Sequence, residues 1–197
     1  MIILFGLAGS GKGTQGKALS EIFGWKWLSV GQVIRNTGAY KEMTDNGKLI
    51  PDEEVIKLMD KQIEKAEDEG FDIILDGYPR SKVQAEHLIA EKANDLDGAI
   101  ILEVPKEELY ERLALRGRDD DQERSSIDRR FEIFEQNICS ILPLLEAQNI
   151  PIERVNGLGP IPEVTERLVK VFKEFNPNAT EQLSDVNGGE IEQSYGE

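Results

Sequence analysis

Short apolar runs alternate with longer stretches of helical periodicity along this 197-residue chain. Ile2-Ile3-Leu4-Phe5 is apolar at every position and stops at Gly6, as a strand buried on both faces does. Ala18, Leu19, Ile22 and Phe23 then recur at helical spacing. Trp27-Leu28-Ser29-Val30 reads as a second strand running into a helix over Gly31-Gln32-Val33-Ile34-Arg35. Pro51 and Asp52 punctuate another helix start, with Glu53 and Glu54 in its first turn and Val55, Leu58, Met59 and Ile63 on one face. Residues 71–76, 98–104 and 151–155 give three further strands. Pro105 opens a helix, 131–146 has helical spacing with Cys139 expected inside the packing, and 161–175 forms the last helix. From Asn176 the chain is polar, acidic and without period, which predicts a disordered tail over 176–197. Strands alternating with helices predict an α/β fold, a five-stranded parallel sheet flanked by helices.

The first strand leads into the candidate chemistry. Phe-Gly-Leu-Ala-Gly-Ser-Gly-Lys-Gly-Thr-Gln, residues 5–15, places Gly6, Gly9 and Gly11 before Lys12 at a strand-to-helix junction. Glycines that tolerate positive φ let backbone N–H groups curl toward one point at a helix N-terminus, which is an anion site. Gly6-x-x-x-x-Gly11-Lys12 matches the P-loop pattern, with Gly13 next and the hydroxyl one position later at Thr14. A glycine-rich turn that binds nothing is the plainer alternative.

The third strand ends in a carboxylate, Asp76, followed by Gly77-Tyr78-Pro79-Arg80. In open α/β sheets ligands bind beyond the carboxyl ends of strands, so this loop and the first one are expected to face one crevice. Gln84 lies one helical turn past Arg80. Six of the ten arginines, 112, 116, 118, 124, 129 and 130, fall in one window. Arginine forks suit bidentate phosphate binding, although a salt-bridged helical hairpin accounts for the same window. His87, the only histidine, is expected at the surface without a carboxylate partner.

Gly-Ser-Gly-Lys-Gly-Thr-Gln, Asp-Gly-Tyr-Pro-Arg and the arginine window, in this order over residues 1–175, resemble the adenylate kinases and related nucleoside monophosphate kinases. That resemblance implies a P-loop NTPase-type core over 1–29, 59–115 and 129–175. It also implies an acceptor-binding insertion over 30–58 and a very short lid over 116–128. It implies ATP held by Gly9, Ser10, Gly11, Lys12, Gly13, Thr14, Arg112, Arg116 and the turn at Gly159. The acceptor would meet Val30, Arg35, Lys48, Leu49, Ile50, Gly77, Tyr78, Pro79, Arg80 and Gln84, with Arg118 and Arg129 spanning donor and acceptor phosphates. Lys12, Asp76, Arg80, Arg116, Arg118 and Arg129 form the implied catalytic set, with Asp120 and Asp121 holding the lid closed. Mg2+ would ride on the nucleotide phosphates, near Thr14 and, through water, Asp76; no zinc is implied, because the lid lacks cysteines.

The implied reaction is phosphoryl transfer from MgATP to AMP giving two ADP, with AMP favoured by Gln84. Departures from the family pattern are Ala8 for proline, Val30 for threonine, Gln32 for aspartate, and a lid in which only Gly117 separates Arg116 from Arg118. Val30 and Gln32 leave a UMP, CMP or GMP kinase open. The abbreviated lid leaves open a nucleotide-binding regulator with little catalysis, and predicts some hydrolysis or slow turnover.

A net charge of −15 argues against nucleic-acid and membrane-surface partners, both polyanions. The chain must therefore gather its positive charge locally to bind a nucleotide. One cysteine and no signal-like or membrane-length apolar segment predict a cytoplasmic protein. A monomer is a family-level expectation.

Overall fold

A computed structural model describes residues 1–38, 50–117, 121 and 123–181. Five strands, β1 (Ile2–Phe5), β2 (Lys26–Ser29), β3 (Ile73–Asp76), β4 (Gly98–Glu103) and β5 (Ile152–Asn156), form one parallel sheet in the order β2-β3-β1-β4-β5. The helices are α1 (Lys12–Phe23), α2 (Val30–Thr37), α3 (Asp52–Asp68), α4 (Lys82–Lys92), α5 (Lys106–Arg116), α6 (Arg124–Ala147) and α7 (Ile161–Phe175).

Strand side chains alternate between faces, and both faces of β1 are covered. Ile3 and Phe5 join a core with Met59, Ile63 and Ala85, while Ile2 and Leu4 join another with Leu19, Leu168 and Phe172. This double burial explains why β1 reads as an unbroken apolar run. In α3 the buried positions are Val55, Met59, Ile63 and Ala66, the predicted stripe extended by one turn, with Leu58 half-buried at its margin.

Several boundaries differ from the sequence reading. Val30 begins α2 instead of ending β2. Ser29 sits before it in extended backbone, and β2 pairs with β3 only as far as Ser29 opposite Asp76. Helix α6 begins at Arg124, well before the apolar stretch that predicted it, and runs through Pro143. Cys139 is exposed, not buried. The buried stripe of α6 includes Ile141 and Leu145, and at about 100° per residue Cys139 falls on the far side of it. His87 does have a carboxylate partner: its Nε2 lies 2.9 Å from Asp60 Oδ2, joining α4 to α3. Beyond α7, Ala179 packs on the core and Lys173 pairs with Glu181 at 2.6 Å. Among the described residues no helix is long and apolar enough to cross a membrane.

Register positions the loops. Leu4 is opposite Asp76, and Asp76 opposite Ser29. The carboxyl ends of β1, β3 and β2 thus stand side by side, bringing the glycine-rich loop, the Asp76–Arg80 turn and the start of α2 to one edge.

Candidate active site

The glycine-rich loop is held tightly at its base. Gly6 has φ +153°, and a Cβ there would lie 2.6 Å from Ser10 Oγ and 2.8 Å from the Leu102 carbonyl; any larger residue would push the loop off β4. Gly11 takes φ +95° as the residue before α1, and no side chain caps that helix. The first-turn N–H groups therefore have no side-chain acceptor. Ser10 is buried, and Thr14 is exposed. Gln15 has a structural part: its amide donates to the Ile161 carbonyl at 3.2 Å and accepts from the Thr165 hydroxyl at 2.7 Å, tying α1 to α7.

Lys12 folds back over the loop. Its Nζ donates to the carbonyls of Gly6 at 2.6 Å and Leu7 at 2.9 Å, and to Ser10 Oγ at 3.4 Å. Burial of the ammonium lowers its pKa from 10.5 to about 8, and the like charges of Arg80 and Arg116 add to that while Asp76 opposes it. Asp76, Arg80 and Arg116 thus lie within electrostatic reach of Lys12.

The turn after β3 forms the second wall. Asp76 is buried at 6% exposure. A Cβ on Gly13 would sit 3.8 Å from its Oδ2, so the carboxylate lies against the first turn of α1. Arg80 reaches an open face but is anchored at both ends, its Nε donating to the Gly77 carbonyl and its backbone N to Gln84 Oε1, each at 2.8 Å. Its guanidinium is held below ordinary basicity by the protein packed around it and then by Arg35 and Arg130, with Asp76 opposing. Arg35 and Arg80 converge on Gly31, where a Cβ would meet them at 3.3 and 3.8 Å. Val30 is buried and lines the same corner, near Gly77. Tyr78 is fully buried, Pro79 is buried beside it, and Ile50 packs at the edge of the core that α3 shares.

The arginine window supplies the third wall. Arg116, the last residue of α5, grips Asp121 with two hydrogen bonds of 2.7 and 2.9 Å. Arg130 donates to the same carboxylate at 2.6 Å. The Asp121 side chain is 1% exposed, so a buried anion gathers two arginines whose charges reach Lys12 and Arg80. Arg112 donates to Glu108 at 2.8 Å and to the Gly157 carbonyl at 3.3 Å, which sets it beside the loop containing Gly159. Arg167 donates to the Asn156 and Leu158 carbonyls and steadies that loop.

The structure therefore brings together Lys12, Asp76, Arg80, Arg116, Arg35 and Val30. It sets Arg112 and Gly159 at one end and Ile50 and Gln84 at the other. Lys48, Leu49, Arg118 and Asp120 lie outside the described residues. Arg129 is exposed, whereas its neighbour Arg130 makes the Asp121 contact. Ile127 and Phe131 are the buried positions of this part of α6. At about 100° per residue, Arg129 is opposite that stripe and Arg130 flanks it. Helical phase is thus the signal in the sequence for Arg130, where the family resemblance implied Arg129. Asp52, also not singled out by sequence as a site residue, accepts from Gln84 Nε2 at 2.6 Å.

Comparison with known proteins fits this geometry. The family model described as "Adenylate kinase" matches residues 4–150. The adenylate kinase of a Synechococcus species is 34% identical over 195 residues, covering 90% of this chain and 98% of that protein. That of Thermus thermophilus is 32% identical, covering 85% and 94%. That of Micrococcus luteus is 37% identical, covering 95% and 97%.

Proposed function

Because the chain belongs to the adenylate kinase family, we propose that it transfers a phosphoryl group reversibly from MgATP to AMP, giving two ADP. The observation that carries this reading is the convergence of Lys12, Arg35, Arg80, Arg116 and Arg130 around the carboxyl ends of β1 and β3 in a protein of net charge −15. Such a constellation has little covalent chemistry to do. It positions two phosphate-bearing ligands and stabilises charge on the group in transit.

The uncapped start of α1 and Lys12 suit the donor phosphates, with Arg112 and the Gly159 turn at the donor base. Arg35 and Arg80 suit the acceptor phosphate. Arg130 takes the bridging role that resemblance implied for Arg129, since it shares Asp121 with Arg116 and its charge reaches Arg80. Asp76 is buried and faces the first turn of α1. It fits the water shell of the Mg2+ that the family uses with nucleotide, and Thr14 is the nearby hydroxyl. When bound, that ion neutralises phosphate charge. Cytoplasmic residence and a monomeric state belong to the same proposal.

Val30 favours a second reading, a kinase for another monophosphate, because an apolar side chain is buried at the acceptor corner. Coupled ADP formation from MgATP with AMP, CMP, GMP and UMP in parallel decides between them. We expect AMP to be preferred by at least about tenfold in kcat/KM. Preference for another acceptor moves the assignment to that nucleotide. ATP binding without product from any of them leaves a binding module.

The Lys12 pKa makes a further prediction. In the unliganded protein Nζ is protonated below about pH 8. Phosphate beside it raises that pKa, so the complex holds more protons than the free protein above about pH 8. By linkage, MgATP affinity should fall as pH rises past that value, by up to about tenfold per unit, with proton uptake on binding. Calorimetry in buffers of different ionisation heat reads both quantities. Lys12→Met should bind more weakly at neutral pH and lose this pH dependence.

A further inference from the structure

Gln84 is 4% exposed, and both ends of its side-chain amide are engaged. Oε1 accepts from the Arg80 backbone N–H at 2.8 Å, and Nε2 donates to Asp52 Oδ1 at 2.6 Å. Its own backbone N–H donates at 3.2 Å to Oγ of Ser81, the residue before α4. An amide oxygen has two lone pairs and an amide nitrogen two hydrogens, so each end keeps one site for a ligand. The order of those two sites is fixed. Rotating the amide by half a turn would put Oε1 against the Asp52 carboxylate and an N–H against the Arg80 N–H, two repulsive contacts in a buried place.

The geometry points to Asp52 as a positioning residue that locks the Gln84 amide in one donor–acceptor order, and so sets which acceptor base the site takes. This rests on the reading of Gln84 as the residue that meets the acceptor base. With the acceptor phosphate held by Arg35 and Arg80, the base enters in one orientation. A donor beside an acceptor then matches a base edge carrying a ring-nitrogen acceptor beside an exocyclic amine. Adenine and cytosine have that edge; guanine and uracil present the reverse. Without Asp52, one of the two repulsive contacts that oppose the flip is gone, so the flipped amide becomes more accessible. Asp52 lies at the start of α3, on a different element from Gln84, so the lock also depends on α3 staying docked against α4.

The test uses the full chain in steady-state assays with AMP and GMP as acceptors. Asp52→Ala should raise KM for AMP about tenfold and narrow the AMP-to-GMP ratio, with kcat and KM for ATP within about twofold. Asp52→Asn keeps the side-chain size and an acceptor for Nε2 but adds an N–H that can donate to a flipped Gln84 Oε1, so it should fold normally and still narrow the AMP-to-GMP ratio, which covers the case in which the alanine variant folds poorly. Gln84→Ala should lose at least as much AMP affinity, and the double variant should be no worse than Gln84→Ala alone. An unchanged KM for AMP in Asp52→Ala, or effects of the two substitutions that add, overturns the lock. If Gln84→Ala itself leaves KM for AMP unchanged, the base-reading role of Gln84 fails instead, and the lock fails with it.

Discussion

Arg80→Ala is expected to lower kcat/KM for the acceptor by about 10²–10³-fold while leaving stability within about 1 kcal/mol. The reason is how the side chain is held. Nε is spent on the Gly77 carbonyl and the backbone N–H on Gln84, so the guanidinium is fixed in place with its terminal nitrogens available for phosphate. It stands within electrostatic reach of both Lys12 and Arg35, the groups proposed for the donor and the acceptor phosphates. Preorganised donors there act on charge as it develops, which is where catalytic effects are largest. Arg80→Lys should recover little, because one ammonium cannot bond the Gly77 carbonyl and still present a planar fork. The coupled assay under subsaturating AMP measures the effect, with urea unfolding as the control. A loss below about tenfold would remove Arg80 from the catalytic set.

Phe172→Ala is the largest expected stability effect, about 3–5 kcal/mol, or on the order of 10 °C in Tm. Phe172 is fully buried in α7. Its ring stacks on Phe23 at 5.2 Å between centroids and tilts against Trp25 at 5.5 Å. Truncation therefore removes aromatic contacts as well as leaving a cavity under α1. Phe23 is the last residue of the helix whose first is Lys12, so this cluster braces the P-loop helix from its far end. Equilibrium urea unfolding reads the loss; a value under about 1 kcal/mol would mean that the cluster repacks around the gap. Turnover by the folded fraction well below the transition should change little, since Gln15 still ties α1 to α7 near the loop.

Much of the molecule was legible from residue order because the relevant physics is local. The unbroken apolar run at 2–5 marked a doubly buried central strand, and periodicity located α7 at its observed bounds, Ile161–Phe175. Glycines before a lysine marked the strand-to-helix junction between β1 and α1. The rule that ligands gather past strand ends pointed to Asp76 and Arg80, which the fold sets beside that junction. The differences also have local causes. The family resemblance implied Arg129, but within the single helix 124–147 the buried stripe leaves Arg129 exposed and sets Arg130 against Asp121. An apolar neighbourhood in sequence suggested that Cys139 was buried, and the same helical phase exposes it.

What the sequence by itself determined is the set of parts: the order of strands and helices, the glycine-rich loop between β1 and α1, and the clustering of arginine in an acidic chain. Each of these depends on residues within a turn or two of one another. Tertiary structure alone decided the partnerships between elements. Asp121 gathers Arg116 and Arg130, Asp60 meets His87 across α3 and α4, and Asp52 reaches Gln84 across 32 positions. No propensity or periodicity encodes such pairs, because they depend on how the helices dock on the sheet, and docking is settled by the packing of both cores at once.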